Sequence, residues 1–269
     1  MSVRLLGNNL LCLFAVLVFS GSALAGHAWS TYHWARTVTP FQLKVIDSVT
    51  DDWQAEFNTA LDEWNAAADI TLVVDSADDS GRVRKRCNAK NGQMRVCNAA
   101  YGFNKWLGLA SIYIDNNSHI VKGVAKMNDS YASYWAIEGE KNHVMCQEIG
   151  HVLGLGHTSE DGSSQQTCMD YSSDINSQWP NAHDLEELAA IYGHLDSYDS
   201  YDTGSTTDSG GCTAPPGKGC NKNGAAEPVP VPMGVLVHRG EHHEIRVAPA
   251  KEGGLWIHHI RLVPEAYRD

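Results

Sequence analysis

Residues 147 to 157 read Gln147-Glu148-Ile149-Gly150-His151-Val152-Leu153-Gly154-Leu155-Gly156-His157, and the spacing of this stretch decides the fold. Positions 147 and 151 are four apart, so on a helix they stack on one face and can grip one ion. Glu148 stands beside them, able to take a proton from a water and return it to a leaving group. Gly154 lets the chain turn sharply away from the helix, which brings His157 round as a third donor. Three protein donors leave a fourth position open, as a catalytic zinc site requires. The Gln147 amide is a neutral, harder donor than imidazole. Two readings therefore stand open: Gln147 binds zinc through its side-chain oxygen, or the site is metal-poor and the domain is a non-catalytic peptide-binding module.

A second stretch follows, Cys168-Met169-Asp170-Tyr171. The first stretch departs at one position from H-E-x-x-H-x-x-G-x-x-H. With the second, it makes the chain resemble the metzincin zinc metallopeptidases, with matrixin-like members nearest in appearance. The resemblance implies that Gln147, His151 and His157 are ligands to one catalytic Zn2+. It makes Glu148 the base, Met169 the methionine of the turn beneath the metal, and Tyr171 a stabiliser of the oxyanion. A structural Ca2+ is compatible with the resemblance, but no residue here calls for one. The implied activity is that of a secreted metalloendopeptidase acting on protein or peptide. In the family an edge strand beside the cleft pairs with an extended substrate, and residues 107–114 are the candidate. Matrixins usually carry a propeptide whose cysteine blocks the zinc. None is visible here, because the earliest cysteine after the leader, Cys87, falls within the presumed domain. The resemblance spans residues 31–194 in architecture, including an end helix near residues 180–194, and residues 147–171 in specific motif.

Arg4, an apolar run over residues 10–19 and the triplet Ala23-Leu24-Ala25 read as a cleaved signal peptide, residues 1–25. No later run approaches the ~20 apolar residues that a bilayer requires. The expectation is an exported, extracellular or periplasmic monomer without a membrane anchor. Without the leader, 19 Lys plus Arg face 32 acids. That acidic balance argues against nucleic acid as a partner. Six cysteines remain, and an even count in an exported chain favours disulfides. Nearest-neighbour pairing joins Cys87 to Cys97, Cys146 to Cys168 and Cys212 to Cys220. The second bridge would brace the active helix against the methionine turn.

The expected fold class is α+β, with a mixed sheet of the α/β type, in three parts. A peptidase domain covers residues 26–199, a Gly/Ser/Pro-rich linker 200–232, and a small β-rich segment 233–269. Phe41, Leu43 and Val45 alternate as in a strand. Trp53, Phe57, Leu61 and Trp64 follow helical spacing, with Asp51 placed to cap and Gln54 three residues on. Ile70, Leu72 and Val74 alternate again. Residues 81–100 are polar and basic and read as a disulfide-closed excursion. Two runs around Asp115-Asn116-Asn117-Ser118 read as a hairpin. A helix over residues 141–153 carries the motif, and Leu185, Leu188, Ala189 and Tyr192 mark a last helix. His143 reads as an exposed or cap-region histidine. His238, His242, His243, His258 and His259 raise the alternative of a separate metal-sequestering site, although adjacent histidines on a strand point to opposite faces.

Overall fold

The mixed sheet is built by short strands whose alternate residues are apolar. The computed structural model describes residues 26–204 and 231–268. The expected signal peptide and the Cys212–Cys220 pair lie outside the described residues. In chain order the elements are β1 (His33–Trp34), β2 (Phe41–Ser48), α1 (Asp51–Trp64), β3 (Ile70–Ala77), α2 (Gly81–Arg86), β4 (Gln93–Ala99), β5 (Trp106–Ile114) and β6 (His119–Asn128). Then come α3 (Ala132–Trp135), α4 (Glu140–Val152), α5 (Ala182–Ile191), β7 (Val235–Arg239), β8 (His243–Pro249) and β9 (Leu255–Leu262). The strand order is β3-β2-β4-β6-β5-β9-β8-β7, with β1 paired to the start of β6. Strands β3, β2, β4 and β6 run parallel, and every pairing from β6–β5 outward to β7 is antiparallel. No described helix is long and apolar enough to cross a membrane.

Helices α1 and α4 pack against one another, and α4 lies on β5 and β6. Helix α1 buries Trp53, Phe57, Ala60, Leu61 and Trp64, the face its sequence spacing predicts. The Trp64 indole N–H donates to the Cys146 carbonyl at 3.1 Å, so the two helices share a polar contact inside the core. Helix α4 is buried on all sides from His143 to Val152. Its polar side chains must therefore find partners within the protein.

Three expectations change. The N-cap of α1 is Thr50, not Asp51, and Gln54 donates to Asp47 and Asn58 instead of closing a capping box. Residues 81–100 are closed by the Cys87–Cys97 disulfide as expected and residues 81–86 are largely exposed, but the segment also carries a core strand. They hold α2 and then β4, which lies between β2 and β6 with Met94 and Val96 buried. Arg95, the one charged residue of β4, reaches the Asn88 carbonyl and the Ser48 hydroxyl, while its neighbours pack inward. The C-terminal strands exist as expected, but they extend the main sheet instead of standing apart. Strand β9 pairs with β5 from Trp106 to Ile114, so β5 is an interior strand without the free edge expected for substrate.

Candidate functional site

The site is assembled on α4, on the loop that follows it, on the methionine turn and on β9. Gly154, at φ +104°, turns the chain at the end of α4, where a side chain would meet the Tyr32 carbonyl. His157 then folds back on His151, with their Nε2 atoms 3.0 Å apart. His151 Nδ1 lies 2.8 Å from the Leu155 carbonyl oxygen, so that nitrogen carries the proton and Nε2 presents its lone pair to the site. The disulfide Cys146–Cys168 is formed and holds the methionine turn against α4. The Cys87–Cys97 bridge is formed as well. Met169 is fully buried, with its sulfur against Gly150 one helical position before His151.

Gln147 does not reach this cluster as a free donor, which corrects its expected role. Its Nε2 donates to the carbonyls of Cys168 at 2.9 Å and Asp170 at 2.7 Å. Its Oε1 accepts from Arg261 Nη1 at 2.9 Å. An oxygen already facing a guanidinium is a poor position for a second cation. His143 is likewise buried and not exposed, its Nε2 2.9 Å from the Asp170 carbonyl and 3.0 Å from Arg261 Nη1. Arg261 also pairs with Glu140 at 3.5 Å and lies over the Tyr171 ring at 5.5 Å.

Beside His151 and His157 stands instead a residue more than a hundred positions from Gln147. On β9 the side chains of Ile257, His259 and Arg261 share the face toward α4, because they register opposite Ile112, Ala110 and Gly108 of β5. His151, His157 and His259 bring one nitrogen each within 4.8 Å of one another. Neither nitrogen of His259 has a hydrogen-bond partner, and its ring stacks on His151 at 4.1 Å. The sheet alternation that was expected to dilute the C-terminal histidines holds. His258 faces the other side, bonded to Ser111 Oγ at 2.7 Å, and His259 faces the cleft. His243 of β8 adds a further ring beside His157, at 4.9 Å. Sequence reasoning placed His259 in a separate C-terminal cluster and missed Arg261. The two-residue spacing of Ile257, His259 and Arg261 was the available signal, and it became informative only once β9 was docked on β5.

The electrostatics match a site built for a cation. Burial pushes His157 and His259 well below the ordinary histidine value and His151 down to about 3, so all three are neutral donors. The His151 and His157 Nε2 atoms, 3.0 Å apart, are close enough to share either a hydrogen bond or one cation. Ligands on a tetrahedral zinc are about 3.3 Å apart for bonds of about 2.0–2.1 Å. Glu148 is buried, and neither oxygen makes a full hydrogen bond. Its burial raises the carboxyl well above the ordinary range, against the smaller pulls of Arg261 and the Ala110 amide. A side chain on Gly108 would fall 2.2 Å from Glu148 Oε1, so glycine there is what admits the carboxylate to the sheet. Tyr171 places its hydroxyl 2.6 Å from His157 Nε2, and burial keeps it protonated.

A mixed sheet carrying a buried helix, a glycine turn and a methionine-bearing turn braced by a disulfide is an α+β fold. No protein-family model matches the chain, and no curated protein matches it in sequence. Among solved structures it is similar to high choriolytic enzyme 1, a hatching enzyme zinc-protease from Oryzias latipes (medaka fish). The identity there is 12% and the TM-score 0.35, over 60% of this chain and 94% of that one. It is similar also to myroilysin, at 14% identity and TM-score 0.34, over 60% of this chain and 97% of that one.

Proposed function

We propose that the chain is a secreted, monomeric zinc metalloendopeptidase whose metal is held by His151, His157 and His259, with Glu148 as general base. The observation that carries this is the convergence of three neutral imidazoles, one with both nitrogens unpartnered, beside a buried and unpaired carboxylate. The matrixin-like placement rests on the opening strand, helix and strand, the hairpin before the active helix and the sequence of the end helix. Bound zinc would polarise the scissile carbonyl and make water nucleophilic at neutral pH. The raised carboxyl of Glu148 suits it to accept a proton and pass it to the leaving amine. The Tyr171 hydroxyl, held protonated, can donate to a developing oxyanion. Gln147 acts through Arg261, fixing β9 and with it His259.

One observation favours a second reading. Strand β9 occupies the edge of β5 on which an extended substrate would add as a strand. In this arrangement the chain would bind zinc in a closed, non-cleaving form. Zinc content of the purified mature chain, with casein or gelatin cleavage before and after chelation, separates the readings. Zinc with cleavage that Glu148→Gln abolishes, while the metal is retained, supports the peptidase. Zinc without cleavage supports the closed form, and absence of both zinc and cleavage refutes the two together.

A further inference from the structure

A second cluster of metal-donor side chains lies apart from the cleft, where β1, the start of β6 and the segment after α5 meet. His33 and His119 are brought together by the parallel pairing of β1 with β6, their rings 4.7 Å apart. Asp196 is held by a reciprocal contact with Arg36. Its Oδ2 accepts the Arg36 amide at 2.9 Å, and its own amide donates to the Arg36 carbonyl at 2.8 Å. Around Asp196 Oδ1 stand three imidazole nitrogens, His119 Nε2 at 3.3 Å, His33 Nε2 at 3.4 Å and His194 Nε2 at 3.7 Å.

The tautomers are settled by the other ring nitrogens. His33 Nδ1 lies 2.8 Å from the Thr31 carbonyl oxygen, which can only accept, so Nδ1 carries the proton. His119 Nδ1 lies 2.6 Å from the Tyr198 hydroxyl, whose own proton goes to the Asp115 carboxylate. His119 Nδ1 must therefore donate as well. With Nδ1 carrying the proton on each ring, both Nε2 atoms point at a carboxylate oxygen, a contact that a cation relieves, whether a proton on Nε2 or a metal ion. This is the outer-shell pattern that orients histidines for metal binding. His33, His194 and Asp196 bring one donor atom each within 4.8 Å of one another, and the two imidazole nitrogens stand 3.4 and 3.7 Å from Asp196 Oδ1, close to the ligand–ligand spacing of about 3.3 Å on a tetrahedral zinc. His194 is 57% exposed while the other three side chains are largely buried, so one side is open for the ion to enter.

We propose that His33, His194 and Asp196, with His119 at their side, form a second metal site that takes zinc or a similar late first-row divalent cation. The three donors come from two stretches of chain, so the ion would act as a cross-link between β1 and the segment that leads away from α5. The site shares no residue with the cleft and stands whether or not the chain is a peptidase.

The test is zinc content of the full mature chain after equilibration in buffered zinc and desalting. The variant His33→Gln/His119→Gln is expected to hold about one equivalent less than the unaltered chain, and a variant lacking His151, His157 and His259 to keep about one. An unchanged content in the first variant, or none in the second, overturns the site. Should the paired variant not fold, His194→Ala alters only the exposed donor. It is expected to weaken binding of one ion at least about tenfold in chelator competition. Unaltered affinity there overturns the proposal equally.

Discussion

Replacing Arg261 with Met tests what Gln147 is for. The guanidinium is buried at 6% side-chain exposure, donates to Gln147 Oε1 at 2.9 Å and pairs with Glu140 at 3.5 Å. Methionine fills much of the same volume without the charge. The change leaves the Gln147 oxygen without its donor and Glu140 without its counter-ion, although Glu140 keeps the Tyr134 hydroxyl at 2.5 Å. Breaking a buried pair on one side costs about 3–5 kcal/mol. With Tyr134 still in place the lower end applies, about 3 kcal/mol, or roughly 10 °C in Tm for a domain of this size. The assay is urea unfolding of the chelator-treated protein, so that metal binding does not enter. Adding Glu140→Gln to Arg261→Met should recover about 1–2 kcal/mol, because the buried charge is then gone. A loss below about 1 kcal/mol for Arg261→Met, or no recovery in the double variant, would refute the view that this pair clamps β9 onto α4.

Gly150→Ala would put a methyl carbon 2.5 Å from Met169 Sδ and 2.8 Å from Trp64 Cζ2. Overpacking of about 1–3 kcal/mol against a gain of about 1 kcal/mol in helix propensity should give a net loss of up to roughly 2 kcal/mol in chemical denaturation. Converting Cys146 and Cys168 to Ser opens a loop of 22 residues' separation and should cost about 3 kcal/mol in the chain-entropy description. A stability equal to that of the unaltered chain would mean that packing alone holds the methionine turn. Burial lowers the Lys126 ammonium from 10.5 to about 8. The unfolded chain therefore binds the extra proton between those values, and stability should rise with pH from about 8 to 10.5. Lys126→Met should flatten that rise in denaturant midpoints measured across the window, and a slope unaffected by the substitution would contradict it.

Local patterns were legible because each was self-contained. The 3.6-residue spacing from Trp53 to Trp64, the hairpin around Asp115, the glycine after the active helix and two neighbouring cysteine pairs all declare themselves within a few turns of chain. The site was legible as far as His151, His157 and Glu148, whose spacing belongs to one helix and its exit turn. What stayed hidden depends on a long-range pairing. Strand β9 read as an appendage because nothing in its alternation names its partner, and only its register against β5 turns His259 and Arg261 toward α4. Gln147 looked like an impaired ligand because the residue that engages it is 114 positions away. Strand β4 was masked by the basic stretch before it and by Arg95, whose guanidinium is satisfied by the Asn88 carbonyl and the Ser48 hydroxyl.

The central claim is that β9 supplies the third metal donor and that Gln147 does not. Zinc affinity measured by competition with a chelator, on the unaltered chain, His259→Ala and Gln147→Ala, tests it directly. The account predicts that His259→Ala weakens the cleft ion by at least about a hundredfold while Gln147→Ala changes it far less. The reverse order, with Gln147→Ala losing the ion and His259→Ala keeping it, would contradict the account.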